Sequence, residues 1–229
     1  MHVKKAVIAA TIIMLVGTSY YNVYGKNYNT EVDKKIILID PGHGGYDGGA
    51  EGKTGIKEKE LNLSISIKLK DKLTKEGFKV VMTRDKDEAL ISNGKSSYNT
   101  KKGEDLANRC KIKKETNPDI FISIHQNHFP EGKYYGAQVW YSNYKDSKTL
   151  AHIMQENLKQ DLDKNNKRIE KPAKDDYKML RNNDTMPSVL VECGFVSNYN
   201  EELKLKDEAY QNLIAESITK SIKIYLDEN

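Results

Sequence analysis

Short apolar runs alternate along this chain with longer stretches in which apolar residues recur every three or four positions. A continuous run of β-branched residues, bounded by polar residues or glycine, predicts a buried strand. A recurrence every fourth residue, as at Leu61, Ile65, Leu69 and Leu73, predicts one face of a helix, which Gly77 would end. We expect strands at 35–40, 79–83, 119–125, 136–141 and 188–192, and helices at about 58–76, 104–115, 146–162 and 207–226.

The order of these elements predicts the fold class. The first strand, the helix after it and the second strand form a βαβ unit, whose crossover should be right-handed. Strands and helices continue to alternate along 35–229, and this favours a single α/β domain with a mostly parallel central sheet flanked by helices. The charged stretch 165–176 is predicted to be a loop.

Residues 1–25 differ from the rest of the chain. Lys4 and Lys5 precede a short apolar run at 6–16, and a small residue stands near the end of the segment. This order is typical of a secretory signal, whereas a membrane span needs about 20 apolar residues. We interpret 1–25 as a signal peptide or an N-terminal membrane anchor, and 26–34 as a linker. A buried core helix is the alternative, but a charged stretch follows directly, so we expect the protein to act outside the cytoplasmic membrane.

Composition excludes several classes of protein. The 229 residues carry a formal net charge of +4, and two of the positive charges lie in the predicted targeting segment. The exported part is therefore close to neutral, which argues against a nucleic-acid binder. Cys110 and Cys193 allow at most one disulfide, and no Cys-x-x-Cys pair is present, so a disulfide scaffold and a thiolate zinc site are both excluded. Cys193 follows an apolar run and is interpreted as a small buried residue, not a nucleophile.

Polar residues end three of the predicted strands, at Asp40, His125 and Glu192. His43 follows the first of these strands in a glycine-rich loop, and Glu58 begins the next helix. In open α/β sheets, ligand sites lie beyond the carboxyl ends of the strands, so we expect these side chains to meet at one edge. Two imidazoles and a carboxylate are the ligands of a common type of catalytic zinc site, and a second carboxylate nearby can act as a general base.

Taken singly, each of these residues also has a plainer explanation. A histidine at the end of a strand is more often structural than a ligand, and Glu58 lies among other charged residues that favour a solvated surface. Glu192 is harder to dismiss, because a buried carboxylate is costly unless it is paired. His128 is interpreted as a bystander near the site, and His152 as part of a surface helix.

Five blocks of the sequence resemble a known family, in the order of that family. Residues 39–50, with Asp-Pro-Gly-His-Gly-Gly at their centre, are similar to the opening signature of the zinc-dependent N-acetylmuramoyl-L-alanine amidases, the Amidase_3 family. Residues 55–63 resemble the start of a helix in that family, which reads Gly-x-x-Glu-Lys-x-Leu-Asn-Leu. The other three blocks are at 83–85, 121–127 and 180–198.

The resemblance implies a reaction and a site. His43, Glu58 and His125 fall on the positions that bind one zinc ion per chain, and Glu192 falls on the catalytic glutamate. The register of the second block selects Glu58 over Glu60 as the ligand. The implied reaction is hydrolysis of the amide bond between the lactyl group of N-acetylmuramic acid and the L-alanine of the peptidoglycan stem peptide. The implied fold is a twisted mixed sheet flanked by helices.

Other residues in these blocks are candidates for supporting roles. Asn127 and Arg181 are candidates to contact the substrate or the tetrahedral oxyanion. Asp40 is a candidate to orient a ligand histidine from behind. Glycines at 42, 44 and 45 would let the backbone turn so that His43 reaches the metal.

The chain departs from the family pattern between residues 90 and 106, where typical members have a shorter connection. Arg109 is the best match to an arginine that the family keeps at the end of this connection. The stretch 91–105 lacks apolar periodicity and is rich in Ser, Asn and Lys, so we expect it to be exposed and poorly ordered. It is interpreted as a lid over the cleft or a docking loop for a partner, and deletion of 92–101 is expected to leave the fold intact.

Within the family, the small size, single module and N-terminal segment most resemble the CwlD-type sporulation amidases. That resemblance implies a role in spore cortex maturation, where loss of stem peptides lets a peptidoglycan deacetylase complete muramic-δ-lactam formation. Peptidoglycan is then the substrate, and the deacetylase and an activator protein are the expected partners. Two alternatives stay open: a non-catalytic peptidoglycan-binding module, and another zinc hydrolase such as a deacetylase. The released product distinguishes them.

Overall fold

The computed structural model describes residues 34–92, 99–181 and 184–228. Within these residues the strands are β1 (Ile36–Pro41), β2 (Lys79–Met82), β3 (Ile120–Asn127), β4 (Gln138–Tyr141), β5 (Lys171–Pro172) and β6 (Ser188–Phe195). The helices are α1 (Glu58–Lys75), α2 (Lys101–Thr116), α3 (Ser147–Leu162), α4 (Tyr199–Lys206) and α5 (Glu208–Asp227), and a 3-10 turn covers Lys178–Leu180. The predicted targeting segment and all but the last residue of the predicted linker lie outside the described residues.

All six strands belong to one sheet, in the order β2-β1-β3-β6-β4-β5. The pairs β1–β2, β1–β3, β3–β6 and β4–β5 are parallel, and only β4–β6 is antiparallel. The prediction of a mostly parallel, mixed sheet flanked by helices is therefore confirmed. Because β1, β3 and β6 are neighbours and run in the same direction, their carboxyl ends lie at one edge of the sheet.

The sheet is covered on both faces. Ile37 and Ile39 of β1 pack into one large apolar cluster with α1, α3 and α5. Leu38, between them, points to the opposite face and packs in a smaller cluster with Phe121, Met179 and residues of α2. Successive side chains of a strand point to opposite faces, so a strand covered on both sides is apolar on both, as β1 is from Ile36 to Ile39 before it reaches Asp40. None of the helices in the three described stretches has the length and apolarity needed to cross a membrane.

Helix α1 matches its prediction closely. The four leucine and isoleucine residues at one-turn spacing are all buried against the sheet. The helix ends at Lys75, and Gly77 has a φ of +92°, a left-handed conformation that favours glycine. Its first residue is Glu58, so the start of α1 brings a carboxylate to the edge of the sheet where β1 and β3 end.

The prediction for 91–105 is wrong over its last five residues. Helix α2 begins at Lys101, not 104, because the Thr100 side chain accepts a hydrogen bond from the Gly103 N–H and caps the helix. Glu104 and Asp105 are buried, and they accept hydrogen bonds from the backbone N–H groups of Ser92 and Leu90. Deletion of 92–101 would remove the cap and one of these contacts, so we no longer expect it to be neutral. Residues 93–98 lie outside the described stretches.

Other elements also differ from the prediction, and the short strand β5 lies in the stretch 165–176 that was predicted to be a loop. β6 continues three residues past Glu192, which places this residue inside the strand. Helix α4 was not predicted, since its sequence offers few apolar residues. The Asn198 side chain caps α4 by accepting from the N–H groups of Asn200 and Glu201. A polar cap of this kind, more than periodicity, sets the start of this short helix.

A buried ion pair joins β1 to α2. The Arg109 guanidinium donates from Nη1 to Asp40 Oδ1 at 2.7 Å and from Nε to Asp105 Oδ2 at 2.7 Å, and both Arg109 and Asp40 are about 1% exposed. Thr83 and Ser123 also donate to the Asp40 carboxylate. Burial by itself would raise the pKa of Asp40, but the Arg109 charge and these hydrogen bonds hold that pKa below its usual value.

The Asp40→Asn variant should be destabilised by about 2–3 kcal/mol at neutral pH, because the buried Arg109 charge loses one of its two carboxylate partners and keeps only Asp105. The free energy of unfolding, measured with urea, checks this. The low pKa in the folded state means that Asp40 stabilises the fold above the unfolded-state pKa and stops doing so as the pH falls through the folded-state pKa. The loss of stability in the Asp40→Asn variant should therefore become smaller in acid.

Asp71→Asn, at an exposed position of α1, is the control and should change stability by less than about 0.5 kcal/mol. An equal effect of the two variants would contradict a stabilising role of the Asp40–Arg109 ion pair.

Candidate metal and catalytic site

Two arginine side chains hold the turn that follows β1. Arg109 donates to the Pro41 carbonyl at 2.8 Å and to the His43 carbonyl at 2.7 Å. Arg84, which is 2% exposed, donates to the Pro41 and Gly42 carbonyls, each at 2.9 Å. Three successive carbonyl oxygens therefore have cationic partners, and this fixes the backbone from which the His43 side chain projects.

The predicted role of Asp40 needs correction. Its carboxylate contacts Thr83, Arg109 and Ser123, and no described histidine. Asp40 reaches the site through Arg109, whose Nη2 binds the backbone carbonyl of His43. The residue therefore positions the turn and does not orient an imidazole directly.

Gly42 is required for space. A Cβ at this position would lie 2.2 Å from the His125 ring, whereas the φ of Gly42 is not in the left-handed region. Gly44 and Gly45 do have positive φ, and His43 itself has a φ of +60°. The expectation that glycines let the chain turn is therefore correct for 44 and 45. The first glycine instead lets the turn approach β3.

His43, Glu58 and His125 converge on one place, where their potential ligand atoms all lie within 4.8 Å of one another. His43 Nε2 is 3.2 Å from Glu58 Oε2, and His125 Nδ1 is 2.9 Å from Glu58 Oε1. Each oxygen of one carboxylate thus faces a different imidazole. The three residues come from the β1 turn, the first turn of α1 and the end of β3, which meet at the predicted edge of the sheet.

The Glu58 carboxylate is held on both sides by backbone donors. Ala50 N–H donates to Oε2 at 2.9 Å, and Gln126 N–H donates to Oε1 at 3.1 Å. Burial alone would raise the pKa of Glu58, but hydrogen bonds and charge from His125 and His43 lower it well below its usual value. Glu58 is therefore a buried carboxylate that stays ionised, which is what a metal ligand requires.

Asp47 was not predicted to have a role, yet it contacts a candidate ligand. Its Oδ2 lies 3.0 Å from His43 Nδ1, on the side of the ring away from Glu58, and its Oδ1 accepts the Gly49 N–H. Burial alone would lower the pKa of His43, but Glu58 and Asp47 together raise it. A carboxylate on the far nitrogen commonly fixes the tautomer and orientation of a metal-binding histidine. The contact is local, because the tight loop 44–49 brings Asp47 back to His43. The four-residue spacing of this pair was the one sign of the contact in the sequence.

Glu192 lies beside this cluster, because it is the register partner of His125 in the β3–β6 pair. It is 7% exposed, and Oε2 has no hydrogen-bond partner among the described residues. Burial raises the pKa of Glu192 to about 7, with His125 opposing the rise and Glu58 adding to it. Tyr177, which no sequence pattern indicated, donates from its hydroxyl to Glu192 Oε1 at 3.4 Å. A carboxylate that titrates near neutrality can both accept and release a proton.

An open cavity of about 570 Å³ contains the cluster, and Glu192, Tyr177 and Arg181 line it. Of the two predicted substrate contacts, Arg181 is exposed in this cavity and donates to the Asp175 carbonyl. Asn127 is not among the described residues that line it, and its carbonyl accepts the Val196 N–H where β3 and β6 separate. Of these two candidates, Arg181 therefore lines the cavity that contains the cluster, whereas Asn127 is not among the described residues that do so.

The other two described histidines and the two cysteines lie outside the cluster. His128 is exposed, and His152 is exposed on α3 with Glu170 beside it. Cys193 is 1% exposed and Cys110 is partly buried, and neither forms a disulfide. The interpretation of Cys193 as a small buried residue is confirmed.

Comparison with known proteins identifies the family. The model of a family described as N-acetylmuramoyl-L-alanine amidase matches residues 37–224. The chain belongs to this family. The match spans nearly all the described residues and includes His43, Glu58, His125 and Glu192.

Individual relatives agree with this assignment. The germination-specific N-acetylmuramoyl-L-alanine amidase of Bacillus subtilis is 37% identical over 204 residues, which cover 89% of this chain and 84% of that protein. The CwlD amidase of Clostridioides difficile, solved in complex with the GerS lipoprotein, superposes with a TM-score of 0.81 at 42% identity, covering 86% of this chain and 100% of that one. An N-acetylmuramoyl-L-alanine amidase from Clostridium difficile 630 gives a TM-score of 0.72 at 34% identity, covering 85% and 97%.

The donor set fits the metal dependence of this family. Two imidazole nitrogens and one ionised carboxylate, converging beside an open cavity, match the ligands of catalytic zinc sites that leave a position for water or substrate. Magnesium and calcium favour sets made of oxygen alone, so the nitrogen donors favour a transition metal or zinc. His43, Glu58 and His125 could hold such an ion.

Gly42→Ala should weaken zinc binding at least tenfold, because the added methyl group would displace the His125 ring. Zinc affinity, measured by competition with a chelator, checks this without any need for activity. Gly48→Ala, in the same loop, is the control, since its Cβ would meet only the flexible Lys57 side chain at 3.3 Å. Affinity in Gly42→Ala within twofold of the control would show that His125 is not a ligand.

Proposed function

We propose that the protein is a zinc-dependent amidase that hydrolyses the bond between the lactyl group of N-acetylmuramic acid and the L-alanine of the peptidoglycan stem peptide. His43, Glu58 and His125 are the proposed ligands, and Glu192 is the proposed catalytic residue. The observation that carries the proposal is the position of Glu192, a buried carboxylate in register with His125 beside three converging ligand atoms. A binding module without catalysis would have no use for this costly group.

The residues divide the chemistry between them. A zinc ion held at this place would polarise the amide carbonyl and make water a better nucleophile at neutral pH. Glu192 accepts a proton from the attacking water and then donates it to the leaving nitrogen of L-alanine. Tyr177 holds Glu192 Oε1, so that Oε2 stays available for this transfer. Arg181, which is exposed and lines the cavity, is the proposed substrate contact.

The biological setting is proposed from the relatives. One relative is named as germination-specific and another forms a complex with a lipoprotein, which supports a role in spore cortex maturation and a need for an activator protein. A peptidoglycan deacetylase would then complete muramic-δ-lactam formation on the product. Residues 1–25 would export the protein as a signal peptide or anchor it to the membrane, residues 26–34 would be a linker, and 35–229 would be the catalytic domain.

Glu192→Gln should lower amide hydrolysis at least a hundredfold and leave zinc content near one ion per chain, because the change removes a base and not a ligand. His125→Ala should lose both zinc and activity. His152→Ala, at an exposed histidine of α3, is the control and should retain both. Hydrolysis is measured by mass spectrometry of digested peptidoglycan, and zinc content is measured on the same samples.

The released product decides between this function and its alternatives. An amidase releases stem peptides with free L-alanine amino termini, whereas a sugar deacetylase releases acetate. Acetate without new amino termini would overturn the proposal. Near-normal turnover in Glu192→Gln would move the role of base to another residue.

A further inference from the structure

A second cavity lies next to the catalytic one. It has a volume of about 610 Å³ and is bounded by the second half of α2 and by described residues of 178–181 and 184–186. Lys178, Met179 and Arg181 line both cavities, so the 3-10 turn and the residue after it form a shared wall. The two cavities are therefore neighbours with this wall between them.

The second cavity is strongly cationic. The described lining of the cavity contains one carboxylate, that of Asp184, and four positive side chains: Lys113, Lys114, Lys178 and Arg181. Of these, only Lys113 is paired with Asp184. Lys114 is exposed on α2, and Lys178 is half-buried on the shared wall. The excess positive charge in a recess, where field lines are focused by the protein walls, favours a ligand with negative charge.

The buried pair at the base of this cavity is incompletely bonded. Lys113 is 6% exposed and donates to Asp184 Oδ1 and to the Met179 carbonyl, with its ammonium over the Phe121 ring. The Asp184 side chain is only 10% exposed, and its Oδ2 accepts no hydrogen bond from the described residues. An unpaired buried carboxylate oxygen is costly, so it favours a ligand that brings an N–H donor.

We propose that the second cavity binds the part of the stem peptide beyond L-alanine. The acidic side of that peptide would lie against Lys114, Lys178 and Arg181, and a peptide N–H or an ammonium group would bind Asp184 Oδ2. Peptides of this class carry free carboxylates together with such donors, which is the combination that the lining requires. The proposal rests on the proposed amidase function, because it assumes that the stem peptide leaves the catalytic cavity over the Lys178–Arg181 wall.

Binding of the released peptide tests this without turnover. The probe is the tripeptide L-alanyl-γ-D-glutamyl-meso-diaminopimelate, compared with the same tripeptide amidated at its free carboxyl groups. The wild-type protein should bind the acidic tripeptide about tenfold more tightly than the amidated one. In Lys114→Glu the affinity for the acidic tripeptide should fall at least tenfold, whereas the affinity for the amidated one should change less than twofold. Titration calorimetry on the full chain measures both.

Lys111→Glu is the matched control. It makes the same change of charge on the same helix, at an exposed residue that does not line the cavity. It should retain the wild-type preference for the acidic tripeptide. Equal losses of affinity for the acidic tripeptide in the Lys111 and Lys114 variants would show a general effect of charge and overturn the proposal. Equal affinity of the wild-type protein for the two tripeptides would overturn it as well. If the wild-type protein shows the preference but releases no L-alanine amino termini from peptidoglycan, the amidase function fails and the peptide site stands.

Discussion

Two buried guanidinium groups determine where the first candidate ligand lies. Arg84 and Arg109 together bind the carbonyl oxygens of Pro41, Gly42 and His43, at distances of 2.7–2.9 Å. Buried carbonyl groups need hydrogen-bond partners, and a turn of this shape cannot supply them from its own backbone. Arg84, two residues after β2, and Arg109, on α2, donate these hydrogen bonds. The contacts tie the turn to both elements. Contacts within the protein therefore fix the backbone that carries His43.

The Glu58 carboxylate is also held in place by several partners. Its two oxygens face two different imidazoles, and two backbone N–H groups from the loop and from β3 hold the carboxylate in place. These donors favour the ionised form, and the start of a helix favours a negative charge as well. Glu192, on β6, accepts no backbone N–H from the described residues, and burial raises its pKa to about 7. The two carboxylates at this sheet edge thus differ: Glu58 stays ionised, as a candidate ligand must, and Glu192 is suited to proton transfer.

The sequence was sufficient to predict the long elements and the edge where the chemistry gathers. Periodicity located α1 and α5 to within about a residue, and polar residues at the ends of β1, β3 and β6 indicated the site. It could not show that Arg84 and Arg109 bind the carbonyl groups of the turn after β1, because these contacts join residues 42 to 68 positions apart. Tyr177 and the buried acids at the start of α2 were missed for a related reason. A polar residue in a polar stretch carries no signal of burial, which depends on what the rest of the chain brings to it.

We expect His43, Glu58 and His125 together to hold a single zinc ion, as proposed above. X-ray absorption at the zinc edge, on protein loaded with one equivalent of zinc, measures the ligands of that ion. Two imidazole nitrogens and carboxylate oxygen are expected at about 2.0–2.2 Å, with loss of one imidazole from the signal in His125→Ala. A sulfur ligand at about 2.3 Å, or an unchanged spectrum in His125→Ala, would contradict it.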